Sequence, residues 1–136
     1  MELWRHVLQH LVHQERHHVA TRVLESDLQR ALLLRVSTEF RDHRFFRRNT
    51  GIIKLEDRVF RASIPGQCDL YVIGRGGWHG EVEIKRYARL NAAQERWRDW
   101  CREWGVPWLL LEASKRELSG ATVERWVCEI ALWLPS

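Results

Sequence analysis

The chain has 136 residues, 45% of them hydrophobic, and a formal net charge of +4. This size suits one domain with its own core, so residues 1–136 are treated as a single domain. No apolar run reaches the roughly 20 residues that span a bilayer, and residues 1–19 are too polar for a signal peptide. We therefore expect a cytosolic protein with no membrane partner. Its three widely spaced cysteines indicate reduced thiols rather than a zinc site.

Two amphipathic helices are predicted at the start of the chain, over residues 2–20 and 22–38, because their apolar residues recur with helical spacing. Four histidines of the first helix form one stripe, at His6, His10, His13 and His17. A metal stripe is conceivable, but no carboxylate or cysteine completes it, so a polar helix face is the favoured interpretation. The second helix carries an acid, Glu25, near its start.

A basic, aromatic segment follows at residues 40–49, "FRDHRFFRRN", with four arginines against one aspartate. Residues 43–49 are a candidate strand. Arginines that contact phosphates supply affinity and salt dependence in nucleic-acid binding. The segment fits either such a surface or a solvated strand edge.

The middle and the end of the chain read as short strands with turns, followed by helices. Residues 50–67 predict a hairpin or loop that bends at "LED" and closes at Pro65-Gly66. The remaining predicted elements are strands at 68–74 and 78–86 around the turn "RGG", a helix at 90–104 ended by Gly105, a strand at 106–113 and a helix at 120–133.

This order predicts an α/β fold in which helices flank a mixed sheet. The strands at 68–74 and 78–86 are close enough in sequence to form an antiparallel hairpin. The helix at 90–104 is a crossover that would make the strands on either side of it parallel neighbours.

The strand "GEVEIKR", residues 80–86, has an unusual pattern. Glu81, Glu83 and Lys85 occupy every second position and so share one face of the strand. If this strand pairs with the preceding one, Asp69 approaches Glu83 at one edge of the sheet. Two carboxylates brought together repel each other unless a cation lies between them, and their hard oxygens suit Mg²⁺ or Mn²⁺. The alternative is an exposed ladder of Glu and Lys pairs.

An ordered series of motifs resembles the VRR-NUC family, the virus-type replication-repair branch of the PD-(D/E)XK nuclease superfamily. The motifs are "RRNTG" (47–51), "PGQCDLYVIG" (65–74), "EVEIKR" (81–86), "LNAAQERW" (90–97) and "GVPWLLL" (105–111). The resemblance covers about residues 21–112. It implies a restriction-endonuclease-like αβββαβ core with a mixed sheet, to which this chain adds an N-terminal helix over residues 1–20 and a C-terminal helix.

The resemblance also implies roles for single residues. Asp69 and Glu83, with the carbonyl of Ile84, would hold Mg²⁺ or Mn²⁺. Lys85 would be the catalytic lysine, and Gln94 would match the helix glutamine that supports the site. The remaining positions are a first-helix acid, at Glu25 with Asp27 and Glu39 as rivals, and a DNA-binding set made of Arg44, Arg47, Arg48, Asn49, Lys54 and Arg86.

The chain departs from the family pattern at two points. The superfamily's Pro-Asp pair is Cys68-Asp69 here, with Pro65 displaced upstream. Glu81 adds a third acid to the strand face and competes with Glu83 for the role of metal ligand.

The leading hypothesis is a divalent-metal-dependent, structure-selective DNA endonuclease of a bacterial or phage-infected cytoplasm. A Holliday-junction-resolvase-like activity on branched DNA, in a homodimer, is the expected form. The alternative is a non-catalytic branched-DNA-binding protein with the same fold. A third interpretation, a structural partner protein, rests on the helical stripe of Trp97, Trp100 and Trp104.

Overall fold

The computed structural model describes residues 25–49, 52–61, 63–115, 117 and 119–136. The predicted helix 2–20, with its histidine stripe, lies outside the described residues. The described elements, in chain order, are α1 (Glu25–Glu39), β1 (His43–Arg47), β2 (Ile52–Lys54), β3 (Val59–Arg61), β4 (Leu70–Gly74), β5 (His79–Arg86), α2 (Ala92–Glu103), β6 (Trp108–Ala113) and α3 (Ser119–Trp133).

Four of these strands form one mixed sheet in the order β1-β4-β5-β6. Strand β4 pairs antiparallel with both β1 and β5, whereas β5 and β6 are parallel. Parallel neighbours need a crossover connection, which α2 supplies. The predicted mixed α/β architecture is confirmed, as are the β4–β5 hairpin and the parallel pairing of β5 with β6.

The hydrophobic core lies between the sheet and the pair α1 and α3, which contact each other. The sheet contributes the buried side chains of Leu70, Val72, Val82, Ile84 and Leu111. The helices contribute stripes at helical spacing, which are Leu28, Ala31, Leu32 and Val36 from α1 and Val123, Trp126, Val127 and Ile130 from α3. Burying each large apolar side chain of this kind contributes about 1.5–3 kcal/mol.

Strand β5 is buried on both faces along most of its length. Val82 and Ile84 enter the core, and the alternating residues Glu81 and Glu83 are only 1% and 2% exposed. A solvent-exposed ladder of Glu and Lys on this strand is therefore wrong. Carboxylates buried to this degree need a partner or a proton.

Strand β1 ends at Arg47, two residues before the predicted end at 49. Its pairing with β4 stops at the pair of Arg47 with Leu70. The amide of Arg48 then donates to the carbonyl oxygen of Asp69 at 2.8 Å. The Arg48 side chain turns into the protein, where it forms contacts that end the regular strand.

Both ends of α2 follow from local sequence signals. Asn91 is the N-cap, and its side chain accepts from the amide of Gln94 while the Gln94 side chain accepts from the amide of Asn91, a complete capping box. At the other end Gly105 has a φ of 71°, and Val106 donates back to Cys101. The predicted glycine C-cap is confirmed.

The segment between β1 and β4 forms a separate two-stranded hairpin, β2 with β3. Leu55 and Arg58 exchange backbone hydrogen bonds around the bend, as the "LED" signal predicted. Ile52, Val59 and Phe60 of this hairpin are exposed. The hairpin therefore adds little to the core.

Within the described part of the chain, no helix combines the length and the apolar character that crossing a membrane requires.

Gly66 is a position where the chain requires glycine. Its φ is 87°, and an added Cβ would lie 2.1 Å from the carbonyl oxygen of Ala93, at the start of α2. We expect Gly66→Ala to lower the free energy of unfolding by clearly more than the roughly 1–2 kcal/mol that a left-handed conformation costs a non-glycine residue, because the clash adds to that cost. Urea unfolding of both proteins measures the difference.

Gly76 provides the matched control, because its φ is 75° but nothing lies within 4 Å of an added Cβ. Gly76→Ala therefore isolates the conformational cost. Equal destabilisation by the two substitutions would show that the contact with α2 does not matter.

Candidate functional site

The candidate site is built around Asp69, the residue immediately before β4. The backbone pairing of β4 with β5 reaches only to Leu70 opposite Val82. Beyond it the Oδ2 atom of Asp69 accepts a hydrogen bond from the amide of Ile84 at 3.1 Å. The side chain thus takes the place of a backbone partner, which fixes the carboxylate beside β5.

Helix α1 holds Asp69 from a second direction. The side-chain amide of Gln29 hydrogen-bonds the Asp69 carboxylate, and Gln29 is itself 5% exposed. The sequence predictions missed this residue. Its signal is the spacing from Glu25, since residues four apart lie on one face of a helix.

Glu25, the first residue of α1, lies close to Asp69. Burial and then the Asp69 charge raise the pKa of Glu25, while Lys85 and a hydrogen bond from the amide of Arg86 oppose the shift. Glu39, a rival for the helix acid, is at the far end of α1, about 20 Å away at 1.5 Å per residue, and pairs with Arg35. Asp27 is two residues from Glu25 and so lies on another side of the helix.

Glu83 is oriented by α2. The Nε2 atom of Gln94 donates to Oε1 of Glu83 at 2.8 Å. The Oε1 atom of Gln94 is held by the amide of Asn91 in the capping box at 3.0 Å. Because the side-chain oxygen of Gln94 accepts this hydrogen bond, the side-chain nitrogen of Gln94 must face Glu83. The helix cap therefore fixes a hydrogen bond in the site.

The charge on Glu83 is poorly compensated. Its Oε2 atom is buried without a hydrogen-bond partner among the described residues. Burial first, and then the Asp69 carboxylate, raise the pKa of Glu83 to about 8, although Lys85 opposes the shift. Burial likewise raises the pKa of Asp69. Two carboxylates in this state gain stability from a proton or a cation between them.

Lys85 completes the group. It is two residues after Glu83 on the same face of β5 and lies close enough to Glu25, Asp69 and Glu83 to lower the pKa of all three carboxyl groups. The structure thus brings together five residues singled out in the sequence, which are Glu25, Asp69, Glu83, Lys85 and Gln94.

The donor set fits a hard divalent cation that keeps part of its water shell. In the part of the chain described here, no three His, Cys, Asp or Glu side chains gather into a metal cluster of their own. Glu83 nevertheless offers a buried carboxylate oxygen without a donor, and the half-buried Asp69 offers a second carboxylate. Mg²⁺ commonly uses one or two carboxylates and completes its shell with water and phosphate oxygens. The role of the Ile84 carbonyl as a further ligand stays a prediction.

Glu81, the competitor of Glu83, is neutralised by a different partner. Its carboxylate receives Nη1 of Arg48 at 3.0 Å, and Nε2 of His79 lies 3.6 Å away. The Arg48 side chain is 14% exposed, also donates to the carbonyl oxygen of Cys68 at 3.1 Å and stacks over the Tyr71 ring. This pairing, between residues 33 apart, gives Glu81 a salt bridge, whereas none of the described salt bridges involves Glu83.

The predicted DNA-binding residues lie in different surroundings. Arg47, Arg48 and Asn49 line a cleft of about 530 Å³ together with Glu25, Gln29 and Asp69. The Arg48 guanidinium is bound to Glu81. The other members of the set are Arg44 on β1, Lys54 on the β2–β3 hairpin and Arg86 at the end of β5. Of the whole set, Arg47, Arg48 and Asn49 are the three that share a cleft with the carboxylates of Glu25 and Asp69.

Comparison with known proteins gave no match: no family model, curated protein or solved structure is significantly similar to the chain. The interpretation of the site therefore depends on its own geometry.

The pKa of Glu83 predicts how stability depends on pH. The folded value of about 8 lies above the ordinary 4.5, so between these values the folded protein binds more protons than the unfolded chain. The free energy of unfolding should therefore fall as pH rises from about 4.5 to 8, and Glu83→Gln should flatten this slope. We expect the variant to melt several degrees above the wild type at pH 8 in EDTA.

Glu95→Gln is the matched control, because Glu95 is an exposed acid of α2. It should leave the slope unchanged. A pH profile of Glu83→Gln that superimposes on the wild type would mean that Glu83 titrates normally in the folded protein.

Proposed function

We propose that the protein is a divalent-metal-dependent, structure-selective DNA endonuclease whose site is formed by Asp69, Glu83 and Lys85. The observation that carries this proposal is the convergence of the buried Glu83 carboxylate, the half-buried Asp69 carboxylate and the Lys85 amine at the end of β5, with an oxygen of Glu83 left without a donor. The order α1, β1, β4, β5, α2, β6 supports a restriction-endonuclease-like αβββαβ core, into which the β2–β3 hairpin is inserted.

The metal ion would be Mg²⁺ or Mn²⁺, held by Asp69, Glu83 and the carbonyl oxygen of Ile84. Bound there, it supplies a Lewis acid for a phosphate oxygen and makes a water molecule more acidic at neutral pH. Its charge would also relieve the repulsion that raises the pKa of Glu83.

The side chains of the site divide the remaining work. Lys85 orients the attacking water and offsets negative charge that grows on the phosphate during in-line displacement. Gln29 and Gln94 hold the two carboxylates in place from opposite helices. Glu25 acts from the first turn of α1, through a water molecule.

The DNA is bound mainly through its phosphates. Arg47 and Asn49 face the cleft that reaches Asp69, and Arg44, Lys54 and Arg86 extend the basic surface. Phosphate contacts position a duplex but carry no sequence information, so we propose recognition of branched DNA by shape. We assign Arg48 a supporting role, because its guanidinium is bound to Glu81.

A homodimer is part of this proposal. A four-way junction has two equivalent scissile strands, and a two-fold dimer would present one site to each. Trp104, the C-cap of α2, is 69% exposed and its ring contacts that of Trp100, which gives the described surface an apolar patch for such a contact. Sedimentation in the presence of junction DNA should show two chains per junction. A monomer that makes both cuts at full rate would contradict the dimer.

Cleavage is tested with branched and linear duplex DNA in Mg²⁺, Mn²⁺ or EDTA. We expect the wild type to cut branched DNA in either metal and to bind without cutting in EDTA. Asp69→Asn and Lys85→Ala should lower the cleavage rate on the order of 100-fold or more, because each removes a group that acts on the reacting atoms, while binding stays within a few-fold.

Asp99→Asn is the control, because Asp99 is an exposed acid on α2 that pairs with Arg98. Its cleavage rate should equal that of the wild type. Normal cutting by Asp69→Asn would place the site elsewhere. Tight binding of the wild type in all three solutions without any cutting would identify a branched-DNA-binding protein instead.

A further inference from the structure

Tyr87 has a strained backbone at the exit of the site. It follows β5 directly, two residues after Lys85. Among the residues that the structure describes, it is the one non-glycine residue with a left-handed backbone, with a φ of 57°. Such a conformation is costly for a side chain with a Cβ, and glycine or asparagine would fit with less strain. The Tyr87 side chain is also 40% exposed, so burial of the ring does not explain the residue.

Two cations lie close to the Tyr87 ring. The Cζ atom of Arg86 lies 4.8 Å and the Nζ atom of Lys115 lies 5.5 Å from the ring centre. The hydroxyl donates to the carbonyl oxygen of Ser114 at 3.3 Å, which ties the ring to the loop after β6. Because β5 and β6 are parallel, with Arg86 opposite Ala113, both cations come from the same edge of the sheet.

These two cations have no carboxylate of their own. In the part of the chain that the structure describes, neither Arg86 nor Lys115 forms a side-chain salt bridge with an acid. The Arg86 charge does act to lower the pKa of Glu25. Two positive charges around one ring repel each other. The aromatic face compensates part of this cost, and a bound anion would compensate more.

A cleft of about 480 Å³ opens beside Tyr87 and reaches Lys85. Its lining includes Lys85, Tyr87, Arg89 and Ser114, with one acid, Glu112, and with Arg125. Arg125 is engaged by Glu117 and Glu129. The cleft is separate from the one lined by Arg47, Arg48 and Asn49, and it contains Lys85 of the proposed site.

We propose that Tyr87 holds Arg86 and Lys115 as a clamp for a backbone phosphate of the DNA, next to the phosphate that Lys85 contacts. This inference rests on the proposed function. The left-handed turn at Tyr87 directs the ring away from the line of β5 and toward Ser114, and the ring then fixes two flexible side chains before DNA arrives. Preorganised cations bind a phosphate with less loss of side-chain entropy than mobile ones.

The test substitutes Tyr87 by glycine, which removes the ring and also relieves the strain. We expect Tyr87→Gly to melt at the same temperature as the wild type or higher, and to bind a labelled four-way junction about 10-fold more weakly at 150 mM salt. Fluorescence anisotropy in EDTA, over a series of salt concentrations, measures binding without cleavage. Tyr87→Phe keeps the ring and should retain an affinity within two-fold of the wild type.

Lys115→Ala tests the phosphate contact itself. It should weaken binding uniformly across DNA sequences and reduce the salt slope of log K by about 1. Arg102→Ala, which removes an exposed charge of α2, is the control and should leave the slope unchanged. A normal salt slope for Lys115→Ala, or wild-type affinity for Tyr87→Gly, would overturn the clamp. So would a Tyr87→Gly protein that unfolds more easily, because the ring would then be structural.

The two proposals can fail separately. Loss of affinity and of salt slope in these variants, with a wild type that never cuts DNA, would support the clamp and overturn the endonuclease. Cleavage that depends on Asp69, with clamp variants that bind normally, would support the endonuclease and overturn the clamp.

Discussion

The arrangement of the site depends on one hydrogen bond, from the amide of Ile84 to the carboxylate of Asp69. The backbone pairing between β4 and β5 extends only to Leu70, the residue next to Asp69. At Asp69 a side chain therefore makes the hydrogen bond that a paired strand would otherwise make. Because the Asp69 side chain replaces a backbone acceptor, the two strands can separate here while the Ile84 amide stays hydrogen-bonded. Leaving that amide unpaired would cost about 1–3 kcal/mol. The same hydrogen bond brings the Asp69 carboxylate to within interacting distance of Glu83. No other feature of β5 accounts for this proximity.

The two buried acids of β5, Glu81 and Glu83, differ in how their negative charge is compensated. Glu81 and Glu83 are on the same face of one strand and are buried almost equally. Glu81 has a guanidinium at 3.0 Å, as a buried carboxylate normally requires. Glu83 has no such salt bridge among the described residues: it accepts from Gln94, lies beside the Asp69 carboxylate, and is only partly compensated by the Lys85 charge and the Asp69 backbone amide. The strand thus neutralises Glu81 with a salt bridge and compensates Glu83 only in part, which is the pattern expected where a ligand supplies the missing charge.

The sequence was sufficient for the features that depend on local pattern. Period-two alternation placed Glu83 and Lys85 on one face, the Asn91 and Gly105 signals bounded α2, and the crossover predicted the parallel pair β5 and β6. It was insufficient for contacts between distant segments. The pairing of Arg48 with Glu81 depends on how the chain leaves β1, and a basic segment read alone suggested an outward-facing arginine. The positive φ of Tyr87 has no signal in "KRYAR", because neither glycine nor asparagine marks it.

The sheet topology explains why the candidate groups lie at one edge. Strand β4 begins where β5 approaches its end, because the two are antiparallel, so Asp69 at the start of one strand meets Glu83 and Lys85 near the end of the other. Strand β6 is parallel to β5, so its loop, with Ser114 and Lys115, reaches the same edge. Side chains from three strands therefore converge without any strand bending toward the others. The core on the opposite face, formed with α1 and α3, holds these strand ends in place, and α1 adds Glu25 and Gln29 from its first turns. A rigid sheet with functional groups at strand ends can position charges to within a fraction of an ångström, which is the precision that reactions at phosphate require.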